Sequence, residues 1–408
     1  MCEMHGNNNG SLGIKTVPVT EAVGMVIAHD ITEIIPGKFK GRAFKKGHIV
    51  REEDVCHLQR LGKENLFILE MKEDEMHEND AAYAIANALA GSGVKLDGEP
   101  REGRINLVAE IDGLLKVDRK ALFKFNMLGE VMCATIHNNS VVKKGQVVAG
   151  TRAIPLVVKK SVVEKAVAIA RGKKEDKKFR SLEDKNFSSS QLPNFPTSNT
   201  YSGVIEVKEM RKPKAGIVIT GNEVYYGRVK DAFGPVITKK IMSMDGEVVG
   251  VYFAPDDAKY IEDRIKELVA AGADLIITTG GMSVDPDDIT RFAIRNIGVE
   301  ELSYGTPVLP GAMFLIAYLE DSNKLSVTSN EIKHEKENPS LVTRHSSFIP
   351  ILGIPACGMY SNITVFDIIL PRVLAGERIS REELAELGHG GLCLKCSECR
   401  YPVCPFGK

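Results

Sequence analysis

The 408-residue chain contains no tryptophan and no excess charge of either sign. Its 53 lysines and arginines face 54 aspartates and glutamates, which leaves a formal net charge of −1. This balance argues against general attraction to nucleic acid or to an anionic membrane. The lysine-rich run at 173–178 lacks interleaved aromatic residues and is interpreted as a solvated linker.

Long hydrophobic runs are also missing. None reaches the roughly 20 residues that span a bilayer, and residues 1–6 have neither the basic start nor the apolar core of a signal peptide. Four of the eight cysteines lie after residue 392, unlike the spread of bridges in a secreted disulfide scaffold. We therefore expect a cytoplasmic protein without nucleic-acid or membrane partners.

Changes of composition divide the chain into five parts. Residues 1–70 alternate β-type runs with turn signals and predict a small β-rich domain, and residues 71–171 predict an α+β domain. The polar stretch 172–203 buries too little apolar surface to offset ordering, so it is predicted to be a linker. Residues 204–377 predict an α/β domain, followed by a cysteine-rich tail at 378–408.

The α/β domain alternates strand and helix patterns from Lys214 onward. The pattern predicts strands at 215–220, 247–253 and 274–279 and helices at 235–244, 256–271 and 360–374. Such alternation implies a largely parallel sheet, with ligands at the carboxyl ends of the strands. Because Thr220-Gly221 and Thr279-Gly280 both fall at such ends, we expect one site built from both loops.

The segment 274–290 carries the most specific signal. A buried strand ends in Thr279, the pair Gly280-Gly281 follows, and a helix pattern begins near Pro286. Glycine allows backbone N–H groups to approach an anion closely. The side chains that follow could hold a hydrated divalent cation beside a phosphate; they are Ser283, Asp285, Asp287 and Asp288.

Several motifs in this order resemble the molybdopterin-binding domain of molybdenum-cofactor biosynthesis proteins, most closely that of the molybdopterin molybdotransferases. They are Ile219-Thr-Gly-Asn-Glu-Val224, Asp256-Asp257, Thr278-Thr-Gly-Gly-Met-Ser-Val284 with Asp288, and Leu309-Pro-Gly311. The resemblance covers about residues 214–376 and implies a three-layer α/β sandwich. It also implies binding of adenylated molybdopterin, insertion of molybdate with Mg²⁺, and release of AMP.

The resemblance also implies roles for individual residues. The carboxylates expected at the catalytic centre, where they could hold Mg²⁺ beside the phosphate, are Glu223, Asp256 and Asp288. The residues expected to bind the cofactor are Thr220, Gly221, Thr279, Gly280, Gly281, Ser283, Pro310 and Gly311. Asp256 is equally well explained as the cap of the helix that follows it. For Asp231, contact with the substrate and a cap ahead of Pro235 are equally good explanations.

The chain departs from the family's pattern in two places. It reads Gly353-Ile-Pro-Ala-Cys-Gly358 where the family has Leu-Pro-Gly-Asn-Pro, and Cys357 there is a free thiol by default. The segment 17–30 faintly resembles the family's N-terminal region, but the acidic motif that should follow is absent. An alternative function is therefore a non-catalytic carrier or sensor of the molybdenum cofactor, serving a molybdoenzyme. A pyrophosphatase-like relative is a third candidate, and the apolar 358–374 segment is compatible with a homodimer.

The tail has the pattern Cys-x2-Cys-x2-Cys-x4-Cys-Pro, formed by Cys393, Cys396, Cys399 and Cys404. It is one residue longer than the ferredoxin-type run that binds iron–sulfur clusters. Four thiolates also satisfy the tetrahedral coordination of zinc. The tail is therefore predicted to bind a metal, with zinc and an iron–sulfur cluster both open.

Overall fold

The computed structural model describes residues 14–35, 39–69, 72–172, 203–282, 288–320 and 348–407. Their contacts form two compact units, the first ending at Lys208 and the second starting at Glu209, with residues 139–141 grouped in the second. Most of the predicted linker, 173–202, lies outside the described residues. Within the described ranges, no helix is long and apolar enough to cross a membrane.

The first unit is rich in short strands. Its strands are β1 (Ile14–Pro18), β2 (Ile31–Ile35), β3 (Phe39–Phe44), β4 (Asn65–Leu69), β5 (Glu75–His77), β6 (Val94–Leu96), β7 (Arg104–Ala109), β8 (Gly113–Val117), β9 (Val131–Thr135), β10 (Val141–Val142, of which only Val142 is grouped in this unit), β11 (Val147–Ala153), β12 (Val157–Lys159) and β13 (Ile205–Lys208). Its helices are α1 (Glu52–Arg60), α2 (Glu78–Leu89), α3 (Arg119–Asn126) and α4 (Lys160–Ala170).

Two apolar clusters stabilise this unit. One is built around β1, β4 and α1, with Leu58 at its centre, and lies within the predicted 1–70 region. The other packs α2 and α4 against a four-stranded sheet of order β6-β7-β11-β9. Strand β13, which the sequence assigns to the C-terminal domain, pairs antiparallel with β8 in this first unit.

The second unit alternates strands and helices in the predicted order. Its strands are β14 (Lys214–Thr220), β15 (Glu247–Ala254), β16 (Leu275–Thr279), β17 (Glu301–Tyr304), β18 (Leu315–Glu320) and β19 (Phe348–Ile354). Its helices are α5 (Asn222–Tyr225), α6 (Phe233–Met242), α7 (Ala258–Ala270), α8 (Thr290–Asn296), α9 (Val365–Leu374) and α10 (Arg381–Glu386).

These strands form one six-stranded sheet of order β15-β14-β16-β19-β18-β17. The first four are parallel, β18 pairs antiparallel with β19, and β17 pairs antiparallel with β18. Strands buried on both faces are expected to be continuous apolar runs, as β14 and β16 are. Mixed α/β architecture is thus confirmed.

Helices cover both faces of this sheet. Successive residues of a strand point to opposite faces, so the strands present apolar side chains on both. Ile217 and Ile277 pack in one cluster with α6 and α9. Val218 and Ile276 pack in another cluster with α7 and α8.

The predicted helices are displaced at their starts. Helix α6 begins at Phe233 instead of Pro235, since the Asp231 carboxylate accepts hydrogen bonds from the Phe233 and Gly234 amides at 2.8 and 3.1 Å. The Asp231 carboxylate thus satisfies the first two amides of α6, although the N-cap residue itself is Ala232. The predicted 360–374 helix begins only at Val365, where Thr364 provides the cap, and a short 3-10 turn occupies 356–359.

Arg372 on α9 is a buried cation, and its side chain is only 5% exposed. Its Nε donates to Glu377 at 2.8 Å, and its Nη2 pairs with Glu383. Replacing Arg372 by leucine should lower the free energy of unfolding by about 3–5 kcal/mol, because the Glu377 side chain, which is 12% exposed, would lose its buried ion pair with Arg372.

The matched control is Arg378→Leu, which removes a 37% exposed arginine paired with Glu300 and Glu301. Its cost should be about 1 kcal/mol or less, since exposed pairs contribute little. Urea unfolding of both variants measures the difference. Equal losses would contradict this account of Arg372.

Candidate functional site

The candidate site lies at the carboxyl edge of the parallel strands. Strands β14 and β16 are neighbours in register, with Ile219 opposite Thr279, so the loops after them lie side by side. The chain runs from β14 to β15 on one side and then crosses to β16 on the other. This reversal makes a crevice between β14 and β16, the place where open α/β sheets bind ligands.

Thr220 joins the two loops. Its hydroxyl donates to the Thr279 carbonyl at 2.7 Å and lies 2.9 Å from the hydroxyl of Thr290, the first residue of α8. All three residues are buried. One side chain therefore connects the end of β14, the end of β16 and the start of α8.

The glycine pair allows a very close approach of backbone to this threonine set. Gly280 has φ +80°, and a Cβ there would lie 2.2 Å from the Thr220 carbonyl oxygen. Gly281 has φ +52°, and its Cβ would lie 2.3 Å from Thr290 Oγ1. Both positions therefore require glycine for conformation and for space.

The loops after β14 and β15 are also joined. Asp256 Oδ2 accepts from the Asn222 amide at 3.0 Å, and the Asp256 amide donates back to Asn222 Oδ1 at 3.3 Å. The prediction that Asp256 caps α7 is wrong, because Asp257 is the N-cap and accepts from the Tyr260 amide at 2.9 Å. The Asp256 carboxylate instead fixes the segment that carries Glu223.

Glu223 lies directly against the first glycine turn. Gly221 has φ +135°, and a Cβ there would lie 2.7 Å from Glu223 Oε1. The Glu223 carbonyl also accepts from the amides of Arg228 and Val229 at 2.8 and 3.0 Å. This carboxylate is thereby held at the carboxyl end of β14.

The segment Pro310-Gly311 reaches the same edge of the sheet. It precedes β18, whose first residue Leu315 pairs with Gly353 near the end of β19. The Pro310 carbonyl accepts from the Val365 amide at 3.3 Å. A Cβ on Gly311, at φ +128°, would lie 2.5 Å from Val365 Cγ1, so this turn packs tightly on the start of α9.

Asp288 is described, and its side chain is partly exposed two residues before α8. Ser283, Asp285 and Asp287 lie outside the described residues, as does the predicted helix start near Pro286. The structure thus brings Thr220, Gly221, Thr279, Gly280, Gly281, Glu223 and Asp256 together at the carboxyl ends of β14 and β16 and the adjoining end of β15.

Two buried hydroxyls of β16 have no hydrogen-bond partner within the described part of the chain: Thr278 Oγ1 and Thr279 Oγ1. An unsatisfied buried polar group costs about 1–3 kcal/mol, so an unpaired hydroxyl at a strand end is a group that a ligand or water can satisfy. Thr279 is adjacent to the glycine turn and is therefore available for such a bond.

No three His, Cys, Asp or Glu side chains converge on a metal position anywhere in the described ranges. Glu223, Asp256 and Asp288 therefore do not form a complete ion site by themselves. Mg²⁺ in phosphate sites takes one or two carboxylates and completes its shell with phosphate oxygens and waters. The oxygen donors present fit that incomplete type of site.

Sequence reasoning missed several residues that shape these loops. The Tyr304 hydroxyl donates to the Met282 carbonyl at 2.6 Å and holds the far end of the glycine turn. Tyr225 and Tyr260 form a ring pair on the rim, with hydroxyls 3.2 Å apart and ring centroids 5.8 Å apart. Arg264 lies 5.4 Å from the centroid of the Tyr260 ring. These contacts join distant segments, so no local sequence signal marks them.

The altered Gly353–Gly358 segment holds a thiol of low reactivity. Cys357 lies in the 3-10 turn after β19 and is partly buried. Burial raises the pKa of the Cys357 thiol, which keeps it protonated and weakly nucleophilic at neutral pH.

The cysteine tail is attached to the Pro310 segment. The Leu309 amide donates to the Gly391 carbonyl, and the Cys393 amide donates to the Leu309 carbonyl, both at 2.8 Å. Cys393 and Cys404 are partly buried, and Cys396 and Cys399 are exposed; all four are free thiols.

Comparisons with known proteins match two parts of the chain. Residues 216–375 match a family model described as a probable molybdopterin binding domain, and residues 16–70 match a domain of unknown function (DUF8806). Among curated relatives, the chain is 37% identical over 93 residues to a CinA-like protein of Mycobacterium sp. (strain MCS), covering 23% of this chain and 22% of that protein. It is 40% identical over 89 residues to the CinA-like protein of Mycobacterium avium (strain 104), covering 22% and 20%.

The chain spans about a fifth of the length of these curated relatives. Among solved structures, the tungsten cofactor synthesizing protein MoaB from Pyrococcus furiosus matches with TM-score 0.26 and 17% identity over 40% of this chain and 96% of that one. CinA, with unknown function, from Thermoplasma acidophilum matches with TM-score 0.26 and 15% identity over 40% and 99%.

The match over residues 216–375, within the second unit, is to a domain of the molybdenum-cofactor biosynthesis type, as the motifs predicted. The narrower resemblance to the molybdotransferases remains a prediction. The same holds for the predicted homodimer and molybdoenzyme partner.

Replacing Gly280 by alanine should disrupt the turn. A positive φ costs a residue with a Cβ about 1–2 kcal/mol, and the approach to the Thr220 carbonyl adds a steric clash with backbone. Gly272→Ala is the control, since Gly272 has φ +92° but no atom within 4 Å of its Cβ position. Thermal and urea unfolding should show a clearly larger loss for Gly280→Ala. Equal losses would mean that the turn relaxes without cost.

Proposed function

We propose that the second unit binds adenylated molybdopterin at the β14–β16 crevice and inserts molybdate into it with Mg²⁺, releasing AMP. The observation that supports this most is the joining of two glycine turns by the Thr220 hydroxyl. That bond sets the backbone of both turns at one edge of the sheet. The matched domain family makes a pterin the appropriate ligand class.

The phosphate groups of the ligand would lie against the two turns. Gly280 and Gly281 are partly exposed, and their N–H groups would bind the anionic oxygens. The Gly221 N–H already donates to the Ala254 carbonyl at 3.2 Å, so Gly221 would contribute the shape of its turn and no donor. The hydroxyl of Thr279 supplies a further donor. Preorganised donors of this kind stabilise negative charge that develops during transfer, because they need no rearrangement.

The carboxylates would take separate roles. Glu223, held against Gly221, and Asp288, near the start of α8, would hold Mg²⁺ together with phosphate oxygens. When bound, that ion would polarise the phosphoryl oxygens and offset their charge. Asp256 would act as a positioning residue, since its carboxylate already holds the Asn222 amide.

The tyrosine pair on the rim supports an adenylated ligand over the free pterin. Tyr225 and Tyr260 come from α5 and α7, the elements that follow the joined Asn222 and Asp256. Tyr260 is 40% exposed, and a partly exposed aromatic ring beside a cation can stack a heterocyclic base. We therefore place the adenine of the ligand against this pair.

A second candidate, cofactor carriage without turnover, is favoured by the segment after β19. It holds Cys357 in a 3-10 turn where the family has Leu-Pro-Gly-Asn-Pro. A pocket altered at this point could retain the pterin without completing the transfer. The two candidates differ in turnover alone.

The direct assay incubates purified protein with adenylated molybdopterin, molybdate and Mg²⁺ and measures AMP. Insertion predicts AMP release that requires molybdate. Saturable binding without AMP release would identify a carrier, and AMP release independent of molybdate would indicate a pyrophosphatase-like activity. Absence of pterin binding would refute the proposed function.

Glu223→Gln and Asp288→Asn should each lower the rate of AMP release at least about tenfold, equivalent to roughly 1.4 kcal/mol of transition-state stabilisation. Raised Mg²⁺ should partly restore both variants. Asp263→Asn is the control, because Asp263 is exposed on α7 and pairs only with Lys259 among the ion pairs of the described residues. A rate unchanged in both site variants would remove these carboxylates from the mechanism.

A further inference from the structure

We propose that Cys393, Cys396, Cys399 and Cys404 together bind one thiolate-ligated metal centre, and that this centre stabilises the Leu309–Gly311 segment at the site edge. The metal site and its effect on the Leu309–Gly311 segment are independent of the proposed function. Only the importance of this segment for ligand binding rests on it. Zinc and an iron–sulfur cluster share the same ligand chemistry here, and the experiment below distinguishes them.

The base of the tail is already closed. The Gly407 amide donates to the Gly390 carbonyl at 3.0 Å, and Phe406 is only 3% exposed in the cluster around α9. A Cβ on Gly407 would lie 2.7 Å from Ile368 Cδ1, so the chain end packs directly on α9. All four cysteines lie in the loop between these two points. Packing therefore already holds the two ends of this loop together, which reduces the chain entropy that is lost when four ligands bind one metal.

The backbone between the first two cysteines is turned in an unusual way. Lys395 has φ +50°, in the left-handed region that residues with a Cβ rarely adopt. Such a conformation costs about 1–3 kcal/mol and persists where the surroundings impose it, often at ligand clamps. It bends the chain between Cys393 and Cys396.

The tip of the loop exposes apolar side chains, and metal binding would order this part of the chain. Leu394 and Val403 are 75% and 90% exposed, although both are apolar. Among the residues that the structure describes, no three of the thiols converge on a metal position. Binding would draw Cys396 and Cys399 toward the partly buried Cys393 and Cys404 and so order the tip, as thiolate metal sites do in small domains.

The coupling to the site runs through the main chain. Leu309 bonds to the tail on both sides, through Gly391 and through the Cys393 amide. The next two residues are Pro310 and Gly311, at the edge of the sheet that carries the glycine turns. A metal that fixes Cys393 therefore also fixes the backbone of this segment, and metal loss should loosen it.

The test uses the full chain, purified anaerobically and analysed for zinc, iron and acid-labile sulfide together with its absorption spectrum. One zinc per chain without visible absorption, or iron with sulfide and visible absorption, would each support the proposal. The double variant Cys396→Ser/Cys399→Ser should lose that metal. Cys56→Ser should keep it, because Cys56 is an exposed thiol of the first unit.

Three results would overturn the proposal. They are a metal-free wild-type chain that neither Zn²⁺ nor iron with sulfide reconstitutes, retention of full metal in the double variant, and quantitative disulfides in place of thiolates. Each is independent of pterin binding, so a failure here is distinguishable from a failure of the proposed function.

The coupling is measured by amide hydrogen exchange before and after chelation of the metal. The Leu309 and Cys393 amides should exchange at least about tenfold faster after metal loss, while the Ile217 amide in β14 should not change. Unchanged exchange at Leu309 would show that the metal stabilises only the tail, and would refute the proposed effect on the Leu309–Gly311 segment. This readout also needs no substrate.

Discussion

The hydroxyl of Thr220 is the contact on which the candidate site depends. It is buried at the end of β14. It donates to the Thr279 carbonyl at the end of β16 and forms a hydrogen bond with the hydroxyl of Thr290, the first residue of α8. Without it, the two glycine turns would be adjacent only through the sheet register. Positions 280 and 281 must then be glycine, because their backbone packs on Thr220 and Thr290 with no room for a side chain.

A comparable link joins β14 to β15. Asn222 and Asp256 exchange two hydrogen bonds, which keeps Glu223 at the sheet edge and places the tyrosine pair beside it. The site is thus arranged by neutral and charge-assisted hydrogen bonds between loops, while its carboxylates remain short of a complete ion site. Under the proposed function, phosphate oxygens of the ligand would complete the coordination of Mg²⁺.

The sequence predicted strands and loop order well where local patterns govern structure. The apolar runs of β14 and β16 and the glycines after them were recognisable because a strand buried on both faces needs continuous apolar residues. Helix starts were less predictable. Asp256 and Asp257 are adjacent and chemically identical, so only the tertiary contact with Asn222 decides that Asp257 caps α7. Strand β13 was misassigned for a similar reason, since its partner β8 lies about ninety residues away in the chain.

The amino-acid sequence alone determined the α/β class of the second unit, the position of its two glycine turns and the four-cysteine spacing of its tail. These follow from periodicity, backbone freedom and ligand count, all of which are local properties. The tertiary structure decided that Asp256 bonds to Asn222 while Asp257 caps α7, that Thr220 connects the turns, and that the tail bonds to Leu309. Those contacts join residues far apart in the chain, where the free energy of packing selects the partner and no local pattern records it.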